Sequence, residues 1–180
     1  ANFLRDIEPG EMVIIDNNEI ESIKYKVNSI KSPCSFEFIY FARPDSIIDG
    51  IDVYSVRHEA GRALYEQNPI EADIVIGVPD SGIPAAIGYS EISGIPYGAA
   101  LVKNKYIGRT FISPSQELRE KSVKVKLNPI KDLIEGKRLV VIDDSLVRGT
   151  TSKKLIKMLL DSRDKEVHFR SASNKVKNEC

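Results

Sequence analysis

Apolar positions along this chain follow two rhythms. Between residues 12 and 27 they come nearly two apart: Met12-Val-Ile-Ile15, a polar stretch Asp16-Asn17-Asn18-Glu19, then Ile20, Ile23, Tyr25 and Val27. That spacing predicts a β-hairpin. Two strands alone are marginal in water, so the hairpin needs a sheet to join, and no third strand is evident nearby. From residue 56 to 67 the rhythm becomes helical, with Val56, Ala60, Ala63 and Leu64 on one face and Asn68-Pro69 as the stop.

Beyond residue 73, short apolar runs alternate with helical stretches. Residues 73–78 are rich in β-branched side chains and end at Pro79-Asp80-Ser81-Gly82; a helix is expected over 85–93, and Gly94-Ile95-Pro96 leads to a run over 97–102. Leu139-Val-Val-Ile142 is a further buried strand, followed by a helix from about 151 to 160 and a strand over 166–170. Continuous apolar strands alternating with helices predict an α/β fold, a parallel sheet covered on both faces.

Composition narrows the class. With 180 residues, 42% hydrophobic and 29% charged, the chain is long enough to bury a core without staples. Its 26 basic and 26 acidic residues cancel, which argues against a nucleic-acid binder. Two cysteines, Cys34 and Cys180, form no disulfide framework and fit a reducing, cytoplasmic compartment. No apolar run approaches a membrane span, and residues 1–6 lack the pattern of a signal peptide, so the chain reads as beginning in mid-protein.

Charge is distributed unevenly. Residues 103–126 hold seven basic side chains against two acidic ones, without apolar periodicity. A long basic loop inside a compact domain suits closure over an anion.

The chemistry is concentrated after the strand at 139–142. Asp143 and Asp144 stand at its carboxyl end, where ligands bind in open α/β sheets, and Ser145, Gly149, Thr150, Thr151 and Ser152 lead into a helix. Hydroxyls and free N–H groups at a helix start cradle a phosphate. Carboxylates repel phosphate, so the aspartates suit sugar hydroxyls or a hydrated metal ion. Phosphate and polyol together describe a sugar phosphate. A Walker loop fails, because Ile83-Pro84 follow Gly82, and no Gly-x-Gly-x-x-Gly occurs.

Val140-Val-Ile-Asp-Asp-Ser-Leu-Val-Arg-Gly-Thr-Thr-Ser152 resembles the phosphoribosylpyrophosphate (PRPP) motif of type I phosphoribosyltransferases. Gly77-Val-Pro-Asp-Ser-Gly82 is similar to the pyrophosphate loop of that fold. Lys103-Asn-Lys-Tyr-Ile-Gly-Arg-Thr-Phe-Ile-Ser-Pro-Ser-Gln-Glu-Leu-Arg119 resembles more narrowly the flexible loop of glutamine PRPP amidotransferases, as do Glu8-Pro-Gly-Glu11 and Cys34-Ser-Phe-Glu-Phe-Ile-Tyr-Phe-Ala-Arg-Pro-Asp-Ser46. The resemblance implies ammonia, derived from glutamine, displacing pyrophosphate from PRPP with Mg²⁺.

It assigns Asp80, Ser81, Gly82, Asp143, Asp144, Ser145, Val147, Arg148, Gly149, Thr150 and Thr151 to PRPP, with Ser81, Asp143 and Asp144 toward magnesium. Lys103, Tyr106, Arg109 and Arg119 become the catalytic loop residues. Cys34 and Cys180 fall where some members place two of four [4Fe-4S] ligands. Purine nucleotide feedback inhibitors and a homo-oligomer are implied as partners, with neither nucleic acid nor membrane.

Departures are also expected from the resemblance. The family's glutaminase nucleophile is an amino-terminal cysteine in a separate domain, whereas Ala1 stands here, and Ser171-Ala-Ser-Asn-Lys175 replaces a usual Ser-Ser-Pro-Pro. Residues 1–50 are therefore expected to be the hairpin end of an Ntn-type glutaminase domain plus linker. Residues 51–180 are expected to be an incomplete phosphoribosyltransferase domain, the whole an internal fragment. The rivals are a phosphoribosyltransferase acting on a base, a PRPP-sensing regulator that binds DNA, and a structural fragment without activity.

Overall fold

The structure, a computed structural model, describes residues 3–17, 19–26, 28–104, 127–146, 149–162 and 165–173. It divides into two compact units, residues 1–35 and 36–180. Residues 36–50 belong to the second unit.

In the first unit the predicted hairpin forms. Strand β1 (Glu11–Asp16) pairs antiparallel with β2 (Glu19–Lys24), from Glu11 opposite Lys24 to Asp16 opposite Glu19. The Arg5 Nη2 and Nη1 groups donate to the Glu11 carboxylate, at 2.5 and 3.0 Å, and the Glu8 N–H donates to it at 2.6 Å. The bond from Arg5 leads the causes that hold the Glu11 carboxyl down at about 2. Within this unit Met12, Ile15, Ile20 and Tyr25 are exposed.

The second unit opens with a π-helical turn, Glu37–Phe41, and a small antiparallel pair, β3 (Ile47–Ile48) with β4 (Ile51–Asp52). Helix α1 (Val53–Gln67) begins three residues earlier than the apolar rhythm predicts, because the Asp52 carboxylate accepts the Ser55 N–H at 2.7 Å and caps it. Strand β5 (Ile74–Gly77), helix α2 (Ile83–Ser93), β6 (Leu101–Lys103), β7 (Leu127–Pro129), the short α3 (Lys131–Ile134), β8 (Arg138–Asp143), α4 (Thr150–Leu160) and β9 (Glu166–Ser171) follow.

The sheet order is β5-β8-β9, all parallel, with Ile74 opposite Leu139 and Val140 opposite His168. Alternation sends successive side chains to opposite faces. Ile74, Ile76, Leu139 and Val141 pack with Leu155 and Leu159 of α4 and with Leu101, Leu127 and Ile134. Val75, Val140 and Ile142 pack on the other face with Ala85, Ala86 and Tyr89 of α2 and with Leu64 and Tyr65 of α1. The doubly covered sheet is the expected α/β arrangement.

One expected strand divides. Over 97–102, Tyr97 makes an isolated parallel bridge to Val75, while β6 pairs antiparallel with β7. The break is a tight turn in which the Ala100 N–H donates to the Gly98 carbonyl at 2.8 Å.

Helices α1 and α2 touch backbone to backbone. A Cβ on Gly61 would stand 1.8 Å from the Ala85 carbonyl oxygen, and one on Gly88 would stand 2.1 Å from the His58 carbonyl oxygen. A methyl group there has to push whole helices apart. Gly61→Ala and Gly88→Ala should each destabilise by about 2 kcal/mol or more, the scale of overpacking against parts that cannot yield. Gly98→Ala should cost less than half as much, since its Cβ would meet only the Ile74 side chain, Cδ1 at 2.4 Å and Cγ1 at 3.1 Å, and no backbone. Urea denaturation of the three variants checks this order, and equal midpoints would refute it.

Candidate active site

The site is built where β5 and β8 end side by side. The Val78 N–H donates to the Ile142 carbonyl at 2.8 Å and the Gly82 N–H to the Val78 carbonyl at 3.0 Å, folding residues 79–82 back over the end of β8. The Pro79–Asp80 peptide is cis. Gly82 is needed for space: a Cβ there would lie 2.5 Å from the Ile142 carbonyl oxygen. Its N–H is already committed to Val78, so what Gly82 contributes here is closeness. Pro84 in the first turn of α2 suits a helix start, where no N–H partner is required.

This fold-back brings the two sequence motifs together. The Ser81 hydroxyl donates to the Asp144 carboxylate, and the Ser145 hydroxyl donates to the other oxygen of Asp144 at 2.6 Å. Asp144 is buried, with 7% of its surface exposed. Asp143, one residue earlier, accepts the Asp144 N–H at 3.0 Å. Burial first, and the neighbouring Asp144 charge second, push the Asp143 carboxyl up to about 7.

Two adjacent carboxylates held this way leave an excess of buried negative charge that a cation would relieve. Among the described residues no group of three or more His, Cys, Asp and Glu could hold a metal by itself. The donor set of Asp143, Asp144 and Ser81 suits a magnesium ion that keeps waters and takes further oxygens from a phosphorylated ligand.

Across the fold-back, Lys103 at the end of β6 bonds the Asp80 carboxylate. On the other side, Gly149 caps α4 in the left-handed conformation at φ 70° and, as glycine, offers no side chain to bond the first turn. Thr150 and Thr151 are the first residues of that helix, so neither is its N-cap. Its leading N–H groups form the kind of end that attracts an anion. Val147, Arg148, Tyr106, Arg109, Arg119 and Cys180 lie outside the described residues. Cys34 is exposed in the first unit.

Arg57 is the residue the sequence reading did not single out. It is buried on α1 and lines a cavity of about 30 Å³ together with Ser81 and Asp144. The apolar rhythm at 56, 60, 63 and 64 passes over it, so hydrophobic spacing offered no signal.

The sign of the pH effect follows from the Asp143 shift. Its folded value lies above that of an unfolded aspartate, so the native state binds the extra proton and this group makes the fold less stable as pH rises from about 4 to about 7. In chelator-treated protein, Asp143→Asn should flatten that decline relative to the wild type. Chemical denaturation at intervals across the window measures it; parallel curves for the two proteins would contradict the assignment.

No protein-family model matches the chain. Curated relatives do, along all 180 residues: amidophosphoribosyltransferases of Methanothermobacter thermautotrophicus at 52% identity, Bacillus subtilis at 51% and Mycobacterium tuberculosis at 52%. The chain spans 38% of the length of the first two and 34% of the third. Two solved structures superpose on 98% of the chain with a TM-score of 0.82 and 51% identity. One is described as the allosteric regulatory enzyme of purine biosynthesis, the other as the glutamine PRPP amidotransferase from B. subtilis complexed with ADP and GMP; the chain covers 38% and 39% of them. Identity of 51–52% sustained from one end to the other, on a shared fold, makes this chain similar to one region of the amidophosphoribosyltransferases.

Proposed function

We propose that this chain is the PRPP-binding transferase region of an enzyme that replaces the pyrophosphate of PRPP with ammonia, giving 5-phosphoribosylamine at the start of purine synthesis. The observation that carries the reading is the bond from Ser81 to Asp144, which joins the two loops whose sequences suit pyrophosphate and ribose phosphate. In this reading Asp143 and Asp144 accept hydrogen bonds from the ribose hydroxyls. The first turn of α4, with Ser145, Gly149, Thr150 and Thr151, takes the 5-phosphate, and Val147 and Arg148 belong with it by resemblance.

The reaction breaks the bond between the anomeric carbon and pyrophosphate as the nitrogen lone pair of ammonia forms the new one; the nitrogen then gives up a proton. Cationic character develops at the carbon and negative charge on the leaving group. Magnesium, when bound through Ser81, Asp143 and Asp144, supplies charge neutralisation for the departing pyrophosphate. Asp80 and Ser81 present the fold-back to that pyrophosphate. Lys103, held by Asp80, is positioned to exchange this carboxylate for phosphate oxygens. Tyr106, Arg109 and Arg119 join it by resemblance only.

Ammonia would come from glutamine in a glutaminase domain of the longer protein, of which residues 1–50 would be the end together with the linker out of it. The relative solved with ADP and GMP supports purine nucleotides as feedback ligands in this reading. Cytoplasmic location and a homo-oligomer complete it; among the described residues no helix is long and apolar enough to cross a membrane. Cys34 and Cys180 would give two of the four thiolates of a cubane cluster, the other two lying beyond residue 180. Along with the loop sequence, the identity with amidophosphoribosyltransferases disfavours a base-specific phosphoribosyltransferase or a DNA-binding regulator.

Calorimetry with PRPP and Mg²⁺ tests the assignment. Loss of two charge-assisted hydrogen bonds of roughly 1.5–3 kcal/mol each should weaken binding at least a hundredfold in the double variant Asp143→Asn, Asp144→Asn. Unchanged affinity in a folded double variant would reject the site.

A further inference from the structure

Arg57 is a charge in the interior of α1 that the reaction described above does not use. It is 5% exposed. Its Nε donates to the Phe38 carbonyl at 2.7 Å, and its Nη2 donates to the Ala42 carbonyl at 2.9 Å and the Glu37 carbonyl at 3.4 Å. These oxygens belong to the π-helical turn and the residue that ends it. The fork thus fastens α1 to the turn before it, but all three partners are neutral.

A buried guanidinium satisfied only by carbonyls still needs an anion to offset its desolvation. The cavity supplies one. Arg57, Ser81 and Asp144 share its wall with the apolar Phe38, Val56 and Ala85, and its volume of about 30 Å³ is room for one bridging water. In agreement, burial lowers the Arg57 pKa while the Asp144 charge raises it.

We propose that Arg57 is a positioning residue for the sugar-phosphate site: facing Asp144 across the shared cavity, its guanidinium fixes that carboxylate, with Ser81, in the orientation that receives ribose. The inference rests on the PRPP reading. One polar chain then runs from the turn at Glu37–Phe41 through Arg57 to the carboxyl end of β8. Arg57 acts only through Asp144 and need not touch the substrate.

The test is a double-mutant cycle on the full-length protein, titrated calorimetrically to millimolar PRPP with Mg²⁺, beside steady-state kinetics. Arg57→Gln should raise the PRPP Kd at least tenfold, and Arg57→Lys, which keeps the charge without the fork, should fall between it and the wild type. Adding Arg57→Gln to Asp144→Asn should change Kd less than twofold. In kinetics the KM for PRPP should rise at least tenfold while that for ammonia stays within twofold, a split that general loosening of the fold would not produce. If Arg57→Gln does not fold, Arg57→Lys completes the same cycle and the same kinetic comparison. Wild-type affinity in the Arg57 variants, an equal loss in both backgrounds, or KM values that rise together would overturn the inference alone. Wild-type protein that binds no PRPP would overturn the functional reading instead, and the first titration separates the two cases.

Discussion

Strand β8 is the element on which the second unit depends, because it must be apolar enough to sit at the centre of the sheet and still deliver two carboxylates at its end. Leu139 to Ile142 have no exposed surface, and β5 and β9 bond it on both sides. A central strand has no freedom to slip by one residue, since that would exchange the side chains of its two packed faces. Asp143 and Asp144 are therefore placed by the burial of the four residues before them. Their position is a consequence of the core, and burial there pushes the Asp143 carboxyl up, the mark of a candidate functional site.

What brings the second loop to this point is the absence of side chains. Gly61 and Gly88 let α1 and α2 meet at backbone distance, and Gly82 lets the fold-back lie on the Ile142 carbonyl. These contacts are rigid, because the atoms opposing each missing Cβ are backbone. Ser81 can reach Asp144 because both sit on supports that cannot drift. The opposite end of the sheet is held by polar contacts instead: the Arg138 N–H and guanidinium bond the Asp73 carboxylate at 2.7 and 2.9 Å, and these bonds hold that carboxyl at about 2. The support Asp73 gives is present above the usual carboxylate range and is lost as pH falls through about 2.

The strands and helices that carry the site were legible where burial alone decides structure. The runs at 73–78 and 139–142 and the helices after them read correctly because a strand buried on both faces needs little but apolar residues. The sequence also singled out the two loops that the Ser81–Asp144 bond joins, since hydroxyls, glycine and paired acids after a strand have few other reasons to occur together. Helix α1 was legible only in part. Its buried positions Val53, Arg57 and Gly61 are spaced as a core stripe, but only Val53 is apolar, so a rhythm of hydrophobic residues starts late and passes over Arg57. A glycine serves here by close approach and an arginine by bonding carbonyls from another segment, and neither partner is local. The strand expected over 97–102 failed for a similar reason, because Tyr97 answers to Val75 while Leu101 answers to Pro129.

Charge explains why a neutral chain separates its signs. At the end of β8 the described groups are anionic, Asp143 and Asp144, and the nearest buried cation, Arg57, spends its bonds on carbonyls. Lys103 is already paired with Asp80. Such a site repels a polyanion unless positive charge arrives with it or after it, and two sources are compatible with the sequence: a hydrated divalent ion carried by the phosphates, and the seven basic residues of 103–126. In the proposed reading, keeping the aspartates on a rigid strand and most of the cations on a different segment would let one site accept ribose hydroxyls and pyrophosphate in turn.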